Sequence, residues 1–167
     1  SLCTKIKNEH DVSVSTIEHL MAAFSALSID NAVIKINNSE LPALDGSSYE
    51  YVKKLMMAGI NIQYASKSYI KVLRKIKVKD GDRYISISPS NNLTIDITID
   101  YPDTIIGKSQ FHYSHSRENF IADLSEARTY TFFENIKKMR TAGLAMGGNL
   151  NNALVVDKFK ILNPDGL

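Results

Sequence analysis

Cysteine is nearly absent. One residue, Cys3, in 167 excludes an internal disulfide and fits a reducing compartment, since disulfide scaffolds belong to oxidising ones. Charge of one sign is lacking as well: twenty Lys and Arg against eighteen Asp and Glu leave a net charge of +2. That is too little to call for a polyanion, so no nucleic acid partner is expected. Long apolar runs are missing too. The longest, Leu20–Phe24, falls far short of the roughly 18 residues of a membrane-spanning helix, so no transmembrane segment is expected. With no apolar leader and cleavage site at the start, a cytoplasmic location is expected. What is present is 44% hydrophobic and 23% charged residues, the composition of one folded domain or two small ones rather than of a disordered chain. The chain opens at Ser1 without methionine and stops at Leu167, just after the turn signal Asn163-Pro164-Asp165-Gly166. A fragment of a longer chain is therefore expected; a monomer is expected as well.

Periodicity divides the chain at about Gln63 to Ser68, into residues 1–64 and 65–167. In the first part, Ser15 and Glu18 have the spacing of a capping box, and Ile17, Leu20, Met21, Phe24 and Leu27 follow at helical spacing. Ala22, Ala23 and Ala26 occupy the other side, which predicts a helix buried between two layers. Asn31 to Ile36 reads as a strand, and Ser47 with Glu50 opens a second helix that ends at Gly59. Beyond Ala65 the period is two. Ile76 and Val78 lead to an Asp80-Gly81-Asp82 turn and return through Ile85 and Ile87; Leu93, Ile95, Ile97 and Ile99 alternate with polar residues. Helices over Arg117 to Ala127 and Phe132 to Ala142, then a hairpin of Leu154–Val156 with Phe159–Leu162, complete an α+β pattern. Ala58-Gly59-Ile60 and Ala142-Gly143-Leu144 both end helices, a weak sign of two similar halves.

Several constellations admit two readings each. Glu18 beside His19 is either a capping acid next to a packed histidine or a general base next to a metal ligand; His19 points about 140° away from the apolar stripe at 3.6 residues per turn. His112 and His115 form an H-x-x-H that could chelate zinc or simply be solvated. The basic residues from Lys67 to Lys79 alternate with apolar ones, as on the wet face of a sheet. Gly143 to Asn149 lacks the spacing of a nucleotide fingerprint. It is a flexible turn, or a place where backbone approaches a ligand closely.

Taken in order, Ser15-Thr16-Ile17-Glu18-His19-Leu20-Met21-Ala22-Ala23, Leu44-Asp45-Gly46-Ser47, Ala127-Arg128-Thr129-Tyr130, Gly143-Leu144-Ala145-Met146-Gly147-Gly148, Asn152-Ala153-Leu154-Val155-Val156 and Asn163-Pro164-Asp165-Gly166-Leu167 closely resemble the zinc-dependent UDP-3-O-acyl-N-acetylglucosamine deacetylases of lipid A biosynthesis. The resemblance implies two similar sheet-plus-helices halves packed with the helices between the sheets, the first half being incomplete here. It implies N-deacetylation of a UDP-linked acylated glucosamine, with Zn2+ as cofactor, His19 as a zinc ligand, Glu18 as base and Thr129 as oxyanion donor. Leu2, Cys3, Tyr101, Tyr130, Phe132, Ile136, Gly147 and Gly148 match positions bordering the sugar or an acyl passage. The family usually carries phenylalanine at the positions of Tyr101 and Tyr130, and often an acid at that of Asn135. Its other zinc ligands, a histidine and an aspartate four apart, would follow Leu167, as would a lysine and a second catalytic histidine, so weak or no zinc binding and no useful turnover are expected of these 167 residues alone. The contrary expectation is a noncatalytic α+β binding module in which Glu18 caps its helix.

Overall fold

A computed structural model of the chain describes residues 3–164 and 166; Leu2, expected in the ligand wall, lies outside them. The fold is α+β. In chain order come β1 (Lys5–Lys7), β2 (Ser13–Ser15), α1 (Glu18–Ala26), α2 (Tyr49–Ala58), β3 (Ile76–Asp80), β4 (Arg83–Ile87), β5 (Thr94–Tyr101) and β6 (Gly107–Ser114). They are followed by α3 (Arg117–Asn119), which widens into a π-turn over Phe120–Leu124, then β7 (Tyr130–Phe132), α4 (Phe133–Thr141), β8 (Leu154–Asp157) and β9 (Lys160–Ile161).

The core forms where the helices meet. Ala23 and Ala26 from α1, Leu27 at its C-cap, Val52 from α2, Tyr113 from β6 and Phe120 are buried in one cluster. The packed face of α1 takes in Ala23 at 0% and Ala26 at 2% exposure together with Leu20 at 7% from the edge of the apolar stripe, while Met21 at 38% faces out; the small side chains let a second helix approach closely. Full burial of a side chain such as Val52 or Phe120 stabilises by about 1.5–3 kcal/mol.

Among the described residues the strands do not merge into one sheet. β1–β2, β3–β4 and β5–β6 are separate antiparallel hairpins, and β7, β8 and β9 form a mixed sheet with β7 parallel to β8. In β3–β4, Asp80 pairs with Arg83 around Gly81, whose φ is +58°. Both faces of this hairpin are exposed, including Ile76, Val78, Ile85 and Ile87. The accessible surface, 13358 Å², is well above the roughly 8,200 Å² of a compact chain of this mass.

Three expectations need correction. Asn31 to Ile36 pairs with no strand among the described residues and leaves Val33 89% exposed; apolar alternation alone does not make a strand where no neighbour supplies the ladder. The basic stretch from Lys67 joins a sheet only from Ile76 onward. The Ser15–Glu18 capping box does not form. Ser15 belongs to β2 and its hydroxyl donates to the Ser39 carbonyl, while Ile17 occupies the N-cap position without a side-chain cap.

Candidate active-site residues and an aromatic cleft

The entry to α1 is shaped by Thr16. Its φ of +59° is a left-handed conformation that costs a residue with a Cβ on the order of 1–2 kcal/mol. The cost is offset because the Thr16 hydroxyl donates to Glu40 Oε1 at 2.5 Å, and because Ser15 bonds the Ser39–Leu41 segment on both sides of an isolated bridge to Glu40: its N–H donates to Ser39 O at 2.9 Å and its carbonyl accepts from Leu41 N at 3.1 Å. Turned this way, Glu18 reaches back to the N-terminal segment, where its Oε2 accepts the Thr4 N–H at 3.0 Å. Hydrogen bonds to a charged group contribute about 1.5–3 kcal/mol, so Glu18 is held by a backbone amide fourteen residues away rather than by its own helix. His19 is half-buried. It shares a helix face with Ala23 and Ala26, four and seven residues on, so it stands at the solvent end of the face that packs into the core.

A second cluster joins the Asp45–Gly46 turn to β7. Gly46 has φ +86°, and a Cβ there would lie 2.1 Å from the Asn152 carbonyl oxygen. Only glycine allows that approach. The Gly46 carbonyl accepts the Thr129 N–H at 2.8 Å, and the Thr129 carbonyl accepts the Leu154 N–H at 2.8 Å. The Arg128 guanidinium clamps the same seam, donating from Nε to Asp45 O at 3.0 Å and from an η-nitrogen to Leu150 O at 2.9 Å. Asn163, 5% exposed, ties the far side: Nδ2 donates to Leu150 O and Ala153 O, and Oδ1 accepts the Val155 N–H. Thr129 is therefore fixed through its backbone on both sides while its side chain is exposed.

Beyond Thr129 the chain enters an open cleft of about 340 Å³ lined by Tyr101, Tyr130, Thr131, Phe132, Asn135, Lys138 and Met139. Three rings form one wall: Tyr101 lies 5.2 Å from Phe132 and 6.2 Å from Tyr130, and Tyr130 lies 6.0 Å edge-on to Phe132. Tyr130 donates its hydroxyl proton to the Tyr101 oxygen at 2.8 Å. Burial first, and that hydrogen bond second, push the Tyr130 phenol up to about 12. The other wall is α4, where Asn135, Lys138 and Met139 recur at helical spacing.

The remaining histidines are engaged elsewhere, His10 beside Glu9 on the surface at 3.5 Å. His112 pairs across strands with Asp96 at 2.7 Å, both exposed, and His115 contacts the Tyr113 hydroxyl at 3.0 Å. No group of three or more His, Cys, Asp or Glu side chains among the described residues is arranged to hold a metal ion, which removes an H-x-x-H site completed by His19 within them.

A family model described as LpxC, UDP-3-O-acyl N-acetylglycosamine deacetylase, matches residues 1–167. The chain belongs to this family. It is 41% identical over 169 residues to the UDP-3-O-acyl-N-acetylglucosamine deacetylase of Shewanella violacea, covering 100% of this chain and 55% of that protein. The protein of the same name from Pasteurella multocida is 42% identical over 168 residues, with coverage of 99% and 55%. That of Nitratiruptor sp. is 42% identical over 156 residues, with coverage of 93% and 52%. The chain spans about half the length of the curated relatives it matches.

In this LpxC chain the structure brings Tyr101, Tyr130 and Phe132 together in one cleft, with Thr129 immediately before it. Ile136, Gly147 and Gly148 do not line that cleft; Ile136 and Gly148 are half-buried and Gly147 is exposed. Cys3 is half-buried next to Thr4, the partner of Glu18. Sequence reading missed Lys138 and Met139 in the cleft and Arg128 as a clamp. The first two were legible as the same helix face as Asn135; the last was not, because its acceptors are backbone carbonyls from distant turns.

Proposed function

We propose that this chain takes part, in the cytoplasm, in hydrolysing the N-acetyl group of a UDP-linked 3-O-acyl-N-acetylglucosamine for lipid A biosynthesis, releasing acetate. The observation that carries the reading is the family match along all 167 residues. It is supported by a carboxylate and an imidazole side by side at the half-buried start of α1. Glu18 is the general base: Thr4 holds Oε2, leaving Oε1 to accept a proton from the attacking water. Thr129, fixed by Gly46 and Leu154, offers its hydroxyl to the oxyanion of the tetrahedral intermediate.

A zinc ion, when bound in such an enzyme, supplies Lewis acidity that polarises the amide carbonyl and acidifies water. His19 offers one imidazole, whereas a catalytic zinc takes three protein ligands. Because the described residues gather no group of three, they do not fit a complete zinc centre by themselves, and a working site needs ligands from outside them.

Acetate release from UDP-3-O-acyl-N-acetylglucosamine tests the reading, measured with these residues grafted into the Pasteurella multocida relative. An active graft that loses about 10²- to 10⁴-fold in kcat with Glu18→Gln, and about 10²- to 10³-fold with Thr129→Val, is the expected result. A graft as active with Glu18→Gln as without it refutes the assignment of the base; an inactive graft refutes the reading as a whole.

A further inference from the structure

The small net charge of the chain hides a local excess. Residues 67–79 carry Lys67, Lys71, Arg74, Lys75, Lys77 and Lys79 without one acidic residue, which leaves fourteen basic against eighteen acidic side chains in the rest of the chain. All six cations are exposed. Lys67 is paired with Asp30; among the described residues the other five have no carboxylate within ion-pair distance. The run enters β3, and alternation along the ribbon sorts it by face. Lys77 opposite Ser86 and Lys79 opposite Tyr84 share one face, whereas Ile76 opposite Ile87 and Val78 opposite Ile85 share the other. Lys77 Nζ lies 3.7 Å from the centre of the Tyr84 ring, so an aromatic ring stands within the cationic face. Whatever packs on the isoleucine and valine side, these lysines point away from it. On the approach to the ribbon, Tyr69, Ile70 and Leu73 are 80%, 99% and 82% exposed among the same cations.

Three features choose the partner. Lysines at every second residue, about 7 Å apart, repel one another, so the face fits a surface of many negative charges rather than a single anion. Five of the six cations are lysine, a point charge without the planar fork by which arginine grips one phosphate or base edge. The bare aliphatic side chains among them find no counterpart in a nucleic acid backbone, but they suit the boundary between lipid headgroups and acyl chains. We propose that the lysine face of β3–β4, with the approach from Lys71 to Lys75, docks the protein on an anionic phospholipid bilayer. The cations face the headgroup phosphates, and Tyr69, Ile70 and Leu73 lie at the headgroup boundary. The proposal makes no use of the deacetylase reading and is tested without turnover, so the two fail separately.

Co-sedimentation of the chain with vesicles tests it. The chain is expected to bind vesicles of equal parts phosphatidylglycerol and phosphatidylethanolamine and to leave phosphatidylcholine vesicles unbound. Salt should release it, as the Debye length shortens from about 10 Å at 0.1 M to about 3 Å at 1 M. Lys75→Gln, Lys77→Gln and Lys79→Gln together should weaken binding on the order of 10²-fold, each cation near such a surface being worth roughly fivefold. Arginine at the same three positions should preserve it. A control carrying Lys108→Gln, Lys137→Gln and Lys158→Gln, exposed lysines elsewhere, lowers the net charge equally and should lose far less. Helical circular dichroism should be the same in all four proteins. Equal loss in both glutamine triples overturns the proposal, because net charge and not the ribbon is then being read, and so does loss of binding in the arginine variant. Binding indifferent to vesicle charge overturns it in favour of plain apolar adsorption, and tighter binding of an oligouridylate than of the anionic vesicles overturns it in favour of a nucleic acid.

Discussion

Replacing Gly46 by alanine tests the seam between the Asp45–Gly46 turn and β7 directly. The added Cβ would sit 2.1 Å from the Asn152 oxygen and 2.8 Å from its carbonyl carbon, inside any real contact, and both obstacles are backbone that cannot rotate away. The φ of +86° adds roughly 1–2 kcal/mol for any residue with a Cβ. If the turn lifts to relieve the clash, the Thr129 N–H to Gly46 carbonyl bond and the Arg128 bond to the Asp45 carbonyl go with it, at about 1 kcal/mol each or more where the partner stays buried. The expected loss is about 3–5 kcal/mol, a large share of the total stability of an ordinary domain. Urea denaturation followed by the helical circular-dichroism signal measures it, because α1 and α2 are packed against the same core. A loss below about 1 kcal/mol would show that the turn relaxes at little cost and that the seam does not position Thr129.

Other consequences are narrower. Asn163→Leu removes three hydrogen bonds at a buried site and should cost about 2–4 kcal/mol in the same assay, whereas Lys67→Ala, which breaks an ion pair with Asp30 on the surface, should leave the denaturation midpoint where it was. Stability should fall on the alkaline side. The folded Tyr130 phenol ionises at about 12 against 10.0 unfolded, so its contribution is whole below pH 10 and is lost as pH rises from there toward 12; urea midpoints at pH 9 and pH 11 should converge in Tyr130→Phe relative to the parent. Thr16→Gly relieves the left-handed strain but deletes the hydroxyl bond to Glu40. It should loosen Glu18 without unfolding α1, seen as faster hydrogen exchange of the Thr4 amide.

Much of the fold could be read from the sequence because it depends on local rules. The β3–β4 turn follows from Asp80-Gly81-Asp82, the end of α2 from Gly59 at φ +80° and that of α4 from Gly143 at φ +71°. Ser116 caps α3 through the Asn119 N–H, as a serine before a helix should. What failed depends on distant partners. Glu18 has capping-box spacing, yet a left-handed Thr16 redirects it to Thr4, and nothing within four residues of Glu18 announces that. β6 was hidden because its Tyr/Ser/His segment becomes a strand only by pairing residue for residue with β5. The parallel β7–β8 pair was hidden for the same reason. The cleft was half legible: its aromatic residues were identified through resemblance, but the hydrogen bond between Tyr101 and Tyr130 joins the end of β5 to the start of β7, and spacing along the chain carries no trace of it.

The free-standing β3–β4 hairpin bears on how the molecule comes apart. A two-stranded ribbon against which none of the described residues packs is marginal in water, so in these 167 residues its ladder amides should exchange with solvent almost as fast as those of a short peptide, while the amides of Thr129 and Leu154 wait for the helices to separate. Melting would then proceed in installments, the ribbon first and the glycine-locked seam last, and a single transition temperature would describe only the second of them.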